Sequence, residues 1–307
     1  MFWLLVTLLI IYAIVRGIVW LVREFFLWLG RGKRIHRVAE SQNVPEDVQI
    51  AARGLEMYHA AKALGQEMDM PLRLTPRQRK LVRKAEAIVR ENFLDNLEIS
   101  WYPVVIIFFV GSVGGLIIEE IWMFITAGLT QSRVGLVWGP FSPLYGVGAV
   151  LLTLICFELR KKHATWWQIF LVGMVVGGLL EQVTGWSMET FMGAVSWDYS
   201  NVPGHLTKWV SIPFLFMWGL LGLVWTKFVM PWLLWTIGEP TTQRQVVFVA
   251  LLAAYLGLDI FMTLSCFSRR AERDRGVPPE NGFEQWIDDH YTDEFMSERF
   301  QNMVING

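Results

Sequence analysis

Residues 133–148 constrain the fold of this chain more than any other stretch. They read Arg-Val-Gly-Leu-Val-Trp-Gly-Pro-Phe-Ser-Pro-Leu-Tyr-Gly-Val-Gly, nearly all apolar yet with two prolines and four glycines. The run passes straight into the apolar residues 149–157. A water-exposed loop would not be this apolar, and a plain membrane helix would not hold Gly139, Pro140 and Pro143 so close together. Proline removes a backbone donor and crowds the preceding turn. In hydrocarbon the freed carbonyls need other partners, so such a break survives only where it is buried in protein or lines a cavity. The expectation is a membrane helix interrupted over 139–146, the kind of break at which transporters hold substrate.

Composition points the same way. Of 307 residues, 53% are hydrophobic, 16 are Trp and 18% are charged, with a mean hydropathy of +0.37. The net charge of −1 gives no indication of a nucleic-acid partner. Cys156 and Cys266 each lie in an apolar run, without the spacing of a disulfide or metal site, so no metal or other cofactor is expected.

Residues 2–22 are long enough to span a bilayer, with Arg16 placed to snorkel or pair. They lack a basic start and a small-residue cleavage site, so they read as an uncleaved anchor, assigned to 1–30. Arg31, Lys33, Arg34 and Arg37 follow, which puts that side in the cytoplasm and the N-terminus outside.

Residues 31–100 read as a polar cytoplasmic insert of two amphipathic helices. Asn43-Val-Pro45 starts one that carries Val48, Ala51, Leu55 and Tyr58 and stops near Gly65. Thr75-Pro76-Arg77-Gln78 starts the other, with a Thr cap, a first-position proline and Gln three residues after the cap. Val82, Ala85, Val89 and Phe93 then line one face. These helices lie on the membrane or the core, or they dock a partner chain.

The core, 101–267, holds five apolar segments: 101–126, 136–159, 165–190, 209–235 and 246–267. With the anchor there are six, and 268–307 is a polar tail. The fold class is all-α, a polytopic helical integral membrane protein. Trp101, Trp166, Trp167, Trp209, Trp232 and Trp235 sit near segment ends, as an aromatic belt would. Gly111/Gly115 and Gly173/Gly177 have the spacing for close helix contact. Alternation from the anchor places Arg160, Lys161 and Lys162 inside and loops 127–135 and 191–208 outside. It also places Arg269, Arg270, Arg273 and Arg275 outside, against the positive-inside rule. Either one segment is re-entrant, with 136–159 the first suspect, or the anchor is misread.

Glu119 and Glu120, Glu181 and Asp259 lie deep in three apolar segments. An ionised carboxylate at the bilayer centre costs about 2.5–3.5 kcal/mol on insertion scales, so such groups face the bundle interior, paired or poised for function. Adjacent helical residues are about 100° apart, so only one of Glu119 and Glu120 faces inward. Arg133 is the natural counter-charge, or an ordinary interfacial arginine. In loop 191–208, Trp197-Asp198-Tyr199 suits a membrane interface, and Asp198 either caps a turn or meets Arg133. His205 titrates near neutral pH if it is more than a surface residue. The chain has no Gly-x-x-x-x-Gly-Lys-Ser/Thr phosphate loop, no His-Glu-x-x-His and no Gly-x-Ser-x-Gly, and Ser142 has no recognisable base beside it.

Several motifs stand in order: Gly115-Leu-Ile-Ile-Glu119, Arg133-Val-Gly-Leu, Gly139-Pro-Phe-Ser-Pro-Leu-Tyr-Gly146, Glu181, Trp197-Asp-Tyr-Ser with Asn201 and Gly204, Asp259, Asp293-Glu-Phe-Met296 and Phe300-Gln-Asn-Met303. Over about 105–303 the chain resembles the bacterial ABC-transporter permeases of the CmpB type (type IV), and the vertebrate transmembrane protein 229 family looks related. It departs from them at His205, where Gly-Arg is frequent, and at Gln301, where proline is usual. The resemblance implies a permease subunit of the bacterial plasma membrane that works with a separate ATPase chain and is not itself an enzyme. The expected site has Glu119, Glu181 and Asp259 as an intramembrane acidic centre beside Glu120. Gly139, Pro140, Pro143, Tyr145 and Gly146 shape its wall, and Arg133, Trp197, Asp198, Tyr199 and His205 close it from the loop side. The expected partners are the lipid bilayer, an ATPase subunit and a second copy of the chain. An intramembrane enzyme acting on a lipid-linked substrate by carboxylate acid–base chemistry, and a non-transporting scaffold, are the alternatives.

Overall fold

The computed structural model describes residues 76–240 and 242–305, the helix Lys33–Glu40, and scattered positions between 12 and 57. The anchor 2–22 and most of the first insert helix, 43–65, fall outside the described residues. The elements are α1 (Lys33–Glu40), α2 (Pro76–Asn96), α3 (Trp101–Ala127), α4 (Pro143–Lys161), α5 (Trp166–Met192), β1 (Ala194–Val195), α6 (Ile212–Val224), a π-helical turn (Trp225–Val229), α7 (Met230–Ile237), α8 (Gln243–Asp274), α9 (Gly282–His290), α10 (Asp293–Arg299) and β2 (Val304–Ile305). Among the described residues, five stretches are long and apolar enough to cross a membrane: α3, α4, α5, Ile212–Ile237 and α8. The protein is an all-α polytopic membrane protein. Two compact units divide the chain, Met1–Glu98 with Trp232–Val247 and Ile99–Pro231 with Phe248–Gly307.

In the first unit, Val38, Ala39, Ala52, Val89 and Trp235 form a small core. Phe93 meets the Trp235 ring edge-on at 5.4 Å, and the indole N–H donates to Glu86 at 3.3 Å. The helix expected from Thr75 onward is α2, and Val89 and Phe93 do line its packed face. The basic cluster at 33–37, read above as a topology signal, lies within α1.

The second unit contains the transmembrane pairing. Helix α3 ends at Gly128, whose φ of 66° is left-handed and whose N–H closes on Met123 and Phe124. Helix α5 opens on a reciprocal Thr165–Gln168 capping box and ends at Gly193, again left-handed. The glycine pairs foreseen for close contact make it. A Cβ at Gly111 would overlap Ala149 and one at Gly115 would overlap Tyr145, so α3 lies directly on α4. Gly177 receives the Trp218 ring, and Gly173 faces the backbone of Trp218, Gly219 and Gly222, so α5 lies directly on α6.

The stretch 136–159 is not an interrupted helix, and this corrects the expectation. Residues 128–142 are irregular, and α4 begins at Pro143, where a missing N–H costs nothing. Each proline also disfavours helical backbone in the residue before it, which keeps Gly139 and Ser142 out of a helix. The loop is nonetheless buried at Val134, Leu136, Val137, Phe141 and Ser142. Part of its backbone is paired by Gly135 N–H to Phe141 O within the loop at 2.7 Å and by Ser142 N–H to Ser112 O of α3 at 3.3 Å. The real irregularity inside a span is the π turn. Pro231 follows it, without an N–H and with a ring that crowds the Lys227 carbonyl, and widening the turn accommodates both effects.

The loops 128–142 and 193–211 and the C-terminal tail gather at one end of this unit. Strand β1 pairs antiparallel with β2, Ala194 opposite Ile305. Leu116, Val134, Val137, Met262, Phe267, Ile287, Met296 and Phe300 share one core there. Burying a side chain such as Phe300 contributes about 1.5–3 kcal/mol. The basic run is a docking site for the tail: Arg269 and Arg273 each reach Asp288 at 2.6 Å, and Arg273 reaches Asp293 at 2.7 Å. The arginines that conflicted with the positive-inside rule are thus paired with carboxylates of the tail.

Candidate functional site

Glu119 lies on α3 about two turns from its C-terminal end. Arg133, on the loop that follows, reaches back so that its Nε donates to Glu119 Oε1 at 2.6 Å. Tyr145, in the first turn of α4, packs over Gly115 and stacks on Trp218 at 6.3 Å. Its hydroxyl sits in the field of Glu119, Arg133 and Tyr199.

Glu181 occupies the middle of α5 and is 6% exposed. Its Oε1 accepts from the Trp218 indole N–H at 3.1 Å and from the Tyr199 hydroxyl at 3.4 Å. Its Oε2 is buried without a hydrogen-bond partner among the described residues. Tyr199 is held by its amide on Lys208 O at 2.7 Å and by a parallel stack on Phe214 at 4.6 Å. Burial raises the Tyr199 phenol above its ordinary value, and the neighbouring Glu181 raises it further. Glu119, Arg133, Tyr145, Glu181, Tyr199 and Trp218 therefore form one polar cluster between α3, α4, α5, α6 and two loops.

Asp259 does not join that cluster. Fully buried on α8, it accepts the amides of Trp138 at 3.0 Å and Gly139 at 3.1 Å. One turn on, Thr263 accepts the Val137 amide at 2.9 Å. Arg299 then takes the carbonyls of Leu136 at 2.9 Å and Gly139 at 2.6 Å. This carboxylate and guanidinium hold the Gly-Pro loop by its backbone, and the three expected acidic groups work in two places.

The other candidates fall as follows. Glu120 is part-exposed and makes no hydrogen bond or ion pair with the described residues. Trp197 donates its indole N–H to Trp209 O at 3.0 Å. Asp198 is exposed and accepts the Ser200 amide at 2.8 Å, hydrogen bonds from Ser200 holding its carboxyl below the usual range. It caps its own turn and does not meet Arg133, since Glu119 already occupies that guanidinium. His205 is exposed and bonds only within its turn, to Val202 O. Gly139 has no room for a Cβ beside the Phe141 ring, and Gly146 none beside Ser112 and Phe108. Pro140 lies exposed in the loop. No group of His, Cys, Asp or Glu among the described residues is arranged to hold a metal.

Sequence reasoning missed Trp218 and Arg299. Trp218 sits in an unbroken apolar segment with nothing to mark its indole N–H. Arg299 lies in a tail that no periodicity ties to residue 136.

Apolar helices packed on glycines around a polar centre define a polytopic helical membrane protein. The chain belongs to the family described as "Putative ABC-transporter type IV", whose model matches residues 106–264. That match spans α3 to most of α8 and so includes every member of the polar cluster, while Arg299 and the tail lie beyond it. No curated protein and no solved structure matches the chain.

Proposed function

We propose that this chain is the membrane-spanning subunit of an ABC-type transporter in a bacterial plasma membrane, with ATP hydrolysis supplied by a separate chain. The polar cluster around Glu181 is its working site. The observation that carries this reading is a carboxylate buried among helices with one oxygen left unsatisfied, a state that fold stability alone does not favour. Family membership supports the transporter class, and the lack of a phosphate loop in the sequence leaves ATP hydrolysis to a partner. The test is purification from native membranes followed by ATPase assay in proteoliposomes. A co-purifying ATPase is expected, with hydrolysis reduced at least tenfold by Glu181→Gln. Purification without an ATPase, or hydrolysis indifferent to Glu181→Gln, would sink the proposal.

A further inference from the structure

Glu181 presents a charge imbalance. Its two donors, the Trp218 indole and the Tyr199 phenol, are both neutral, and both point at the same oxygen. From α3 and its loop come Glu119 and Arg133, already paired with one another at 2.6 Å. From α4 comes the Tyr145 phenol. On α5 itself the next acid, Glu189, is matched by Lys208 at 2.6 Å. Among the described residues, an ionised Glu181 therefore has no cation within hydrogen-bond reach and an orphaned oxygen in the membrane interior. A neutral carboxylic acid removes that charge, so that the unpartnered Oε2 is an uncharged hydroxyl rather than part of a buried anion. Its carbonyl oxygen has two lone pairs for the two donors, and its hydroxyl occupies the position of the unpartnered Oε2. A hard metal cation does not fit, because it needs six or more oxygen ligands and only one oxygen is free here.

We propose that Glu181 is a proton-binding site of the membrane interior, with an exchangeable proton on Oε2 that leaves and returns past Tyr199 at the loop end. The step is a simple protonation: the acid releases H⁺ to loop-side water and becomes a carboxylate, and the reverse restores it. Tyr199 and Trp218 are positioning residues that fix Oε1 as the carbonyl oxygen. This inference rests on reading the cluster as the working site, and it adds the proton as the ligand of that site.

The experiment is infrared spectroscopy of the full chain in lipid nanodiscs with ¹³C-labelled glutamate. At neutral pH the wild type shows a carboxylic-acid carbonyl band that shifts in D₂O, is lost in Glu181→Gln and is kept in Glu119→Gln. Tyr199→Phe removes one donor to that carbonyl and moves the band to higher frequency. Should Glu181→Gln fail to fold, Glu181→Asp keeps a carboxyl one methylene shorter and takes the band out of the labelled window. A wild type without the band, or a band that survives every change at position 181, overturns the proposal. The transporter reading fails separately: a protonated Glu181 in a chain that engages no ATPase leaves the proton site standing. An active transporter complex without the band does the reverse.

Discussion

Arg133 and Glu119 close the junction between α3 and the loop that follows it, Nε to Oε1 at 2.6 Å, with side chains only 11% and 22% exposed. Breaking a buried pair from one side strands the other charge. Arg133→Met should therefore cost about 3–5 kcal/mol. Combined with Glu119→Gln, the loss should fall short of the sum of the single changes by about 0.5–3 kcal/mol. Equilibrium unfolding of the four proteins in mixed micelles checks this, and strictly additive losses would show that the two charges are not coupled.

Asp259→Asn tests the loop clamp. The amide nitrogen of Asn would face a backbone N–H, so at least one of the Trp138 and Gly139 amides loses its acceptor. Each buried donor left unsatisfied costs about 1–3 kcal/mol. Hydrogen exchange should rise at 137–139, where the clamp acts, and stay unchanged along α5. Unchanged protection at 138 and 139 would show that Asp259 is not what holds them.

Gly177→Ala would push a methyl into the Trp218 ring. Overpacking of this kind costs about 1–3 kcal/mol, and here it also drags the indole away from Glu181. Gly257→Ala is the control, because among the described residues no atom beyond its own stretch of helix lies within 4 Å of its Cβ position. On helix propensity alone that change should stabilise α8 by up to about 1 kcal/mol. Equal losses at the two positions in unfolding experiments would contradict the packing assigned to α5 and α6.

The docking of the tail should depend on pH in a defined direction. Hydrogen bonds from Arg269, and next from Arg273, lower the Asp288 carboxyl below its ordinary value. A lowered folded-state pKa gives stability that is complete above the unfolded value of about 3.9 and disappears as pH falls through the folded one. Spin labels on α9 and on loop 128–142 should therefore keep their separation down to about pH 4, the ordinary aspartate range, and lose it only below. Asp288→Asn should remove that acid transition and loosen the tail at neutral pH. Tail docking lost well above that range would assign the transition to other groups.

Much of this fold was legible in residues. Five spans followed from apolar length, and the glycine pairs at 111/115 and 173/177 marked positions of close helix contact without naming the helices they meet. Thr75-Pro76 marked the start of α2. The Gly-Pro stretch misled because composition alone does not distinguish a broken helix from a buried loop ahead of a helix. That difference rests on where its amides find acceptors, and those acceptors, Asp259 and Thr263, are more than a hundred positions away. The carboxylates were found by their cost in hydrocarbon, but cost does not reveal partners. Glu181 meets a tryptophan that nothing in its own segment sets apart, whereas Asp259 meets a backbone. The pairing of the arginines at 269–273 was not legible, because their counter-charges lie in a tail whose packing has no periodic signature.

Arg299 holds the carbonyls of Leu136 and Gly139, 163 and 160 residues earlier in the chain. A ribosome adding about 5–20 residues per second needs on the order of 10–30 s to cover that distance. Asp259 and Thr263, which hold the loop's amides, are made some 36–40 residues before Arg299, so the two halves of the clamp become available in sequence. The loop end is therefore complete only after the last residues of the tail have been made. A premature stop between α8 and Arg299 would leave the loop's amides held by Asp259 and Thr263 but the carbonyls of Leu136 and Gly139 without their guanidinium.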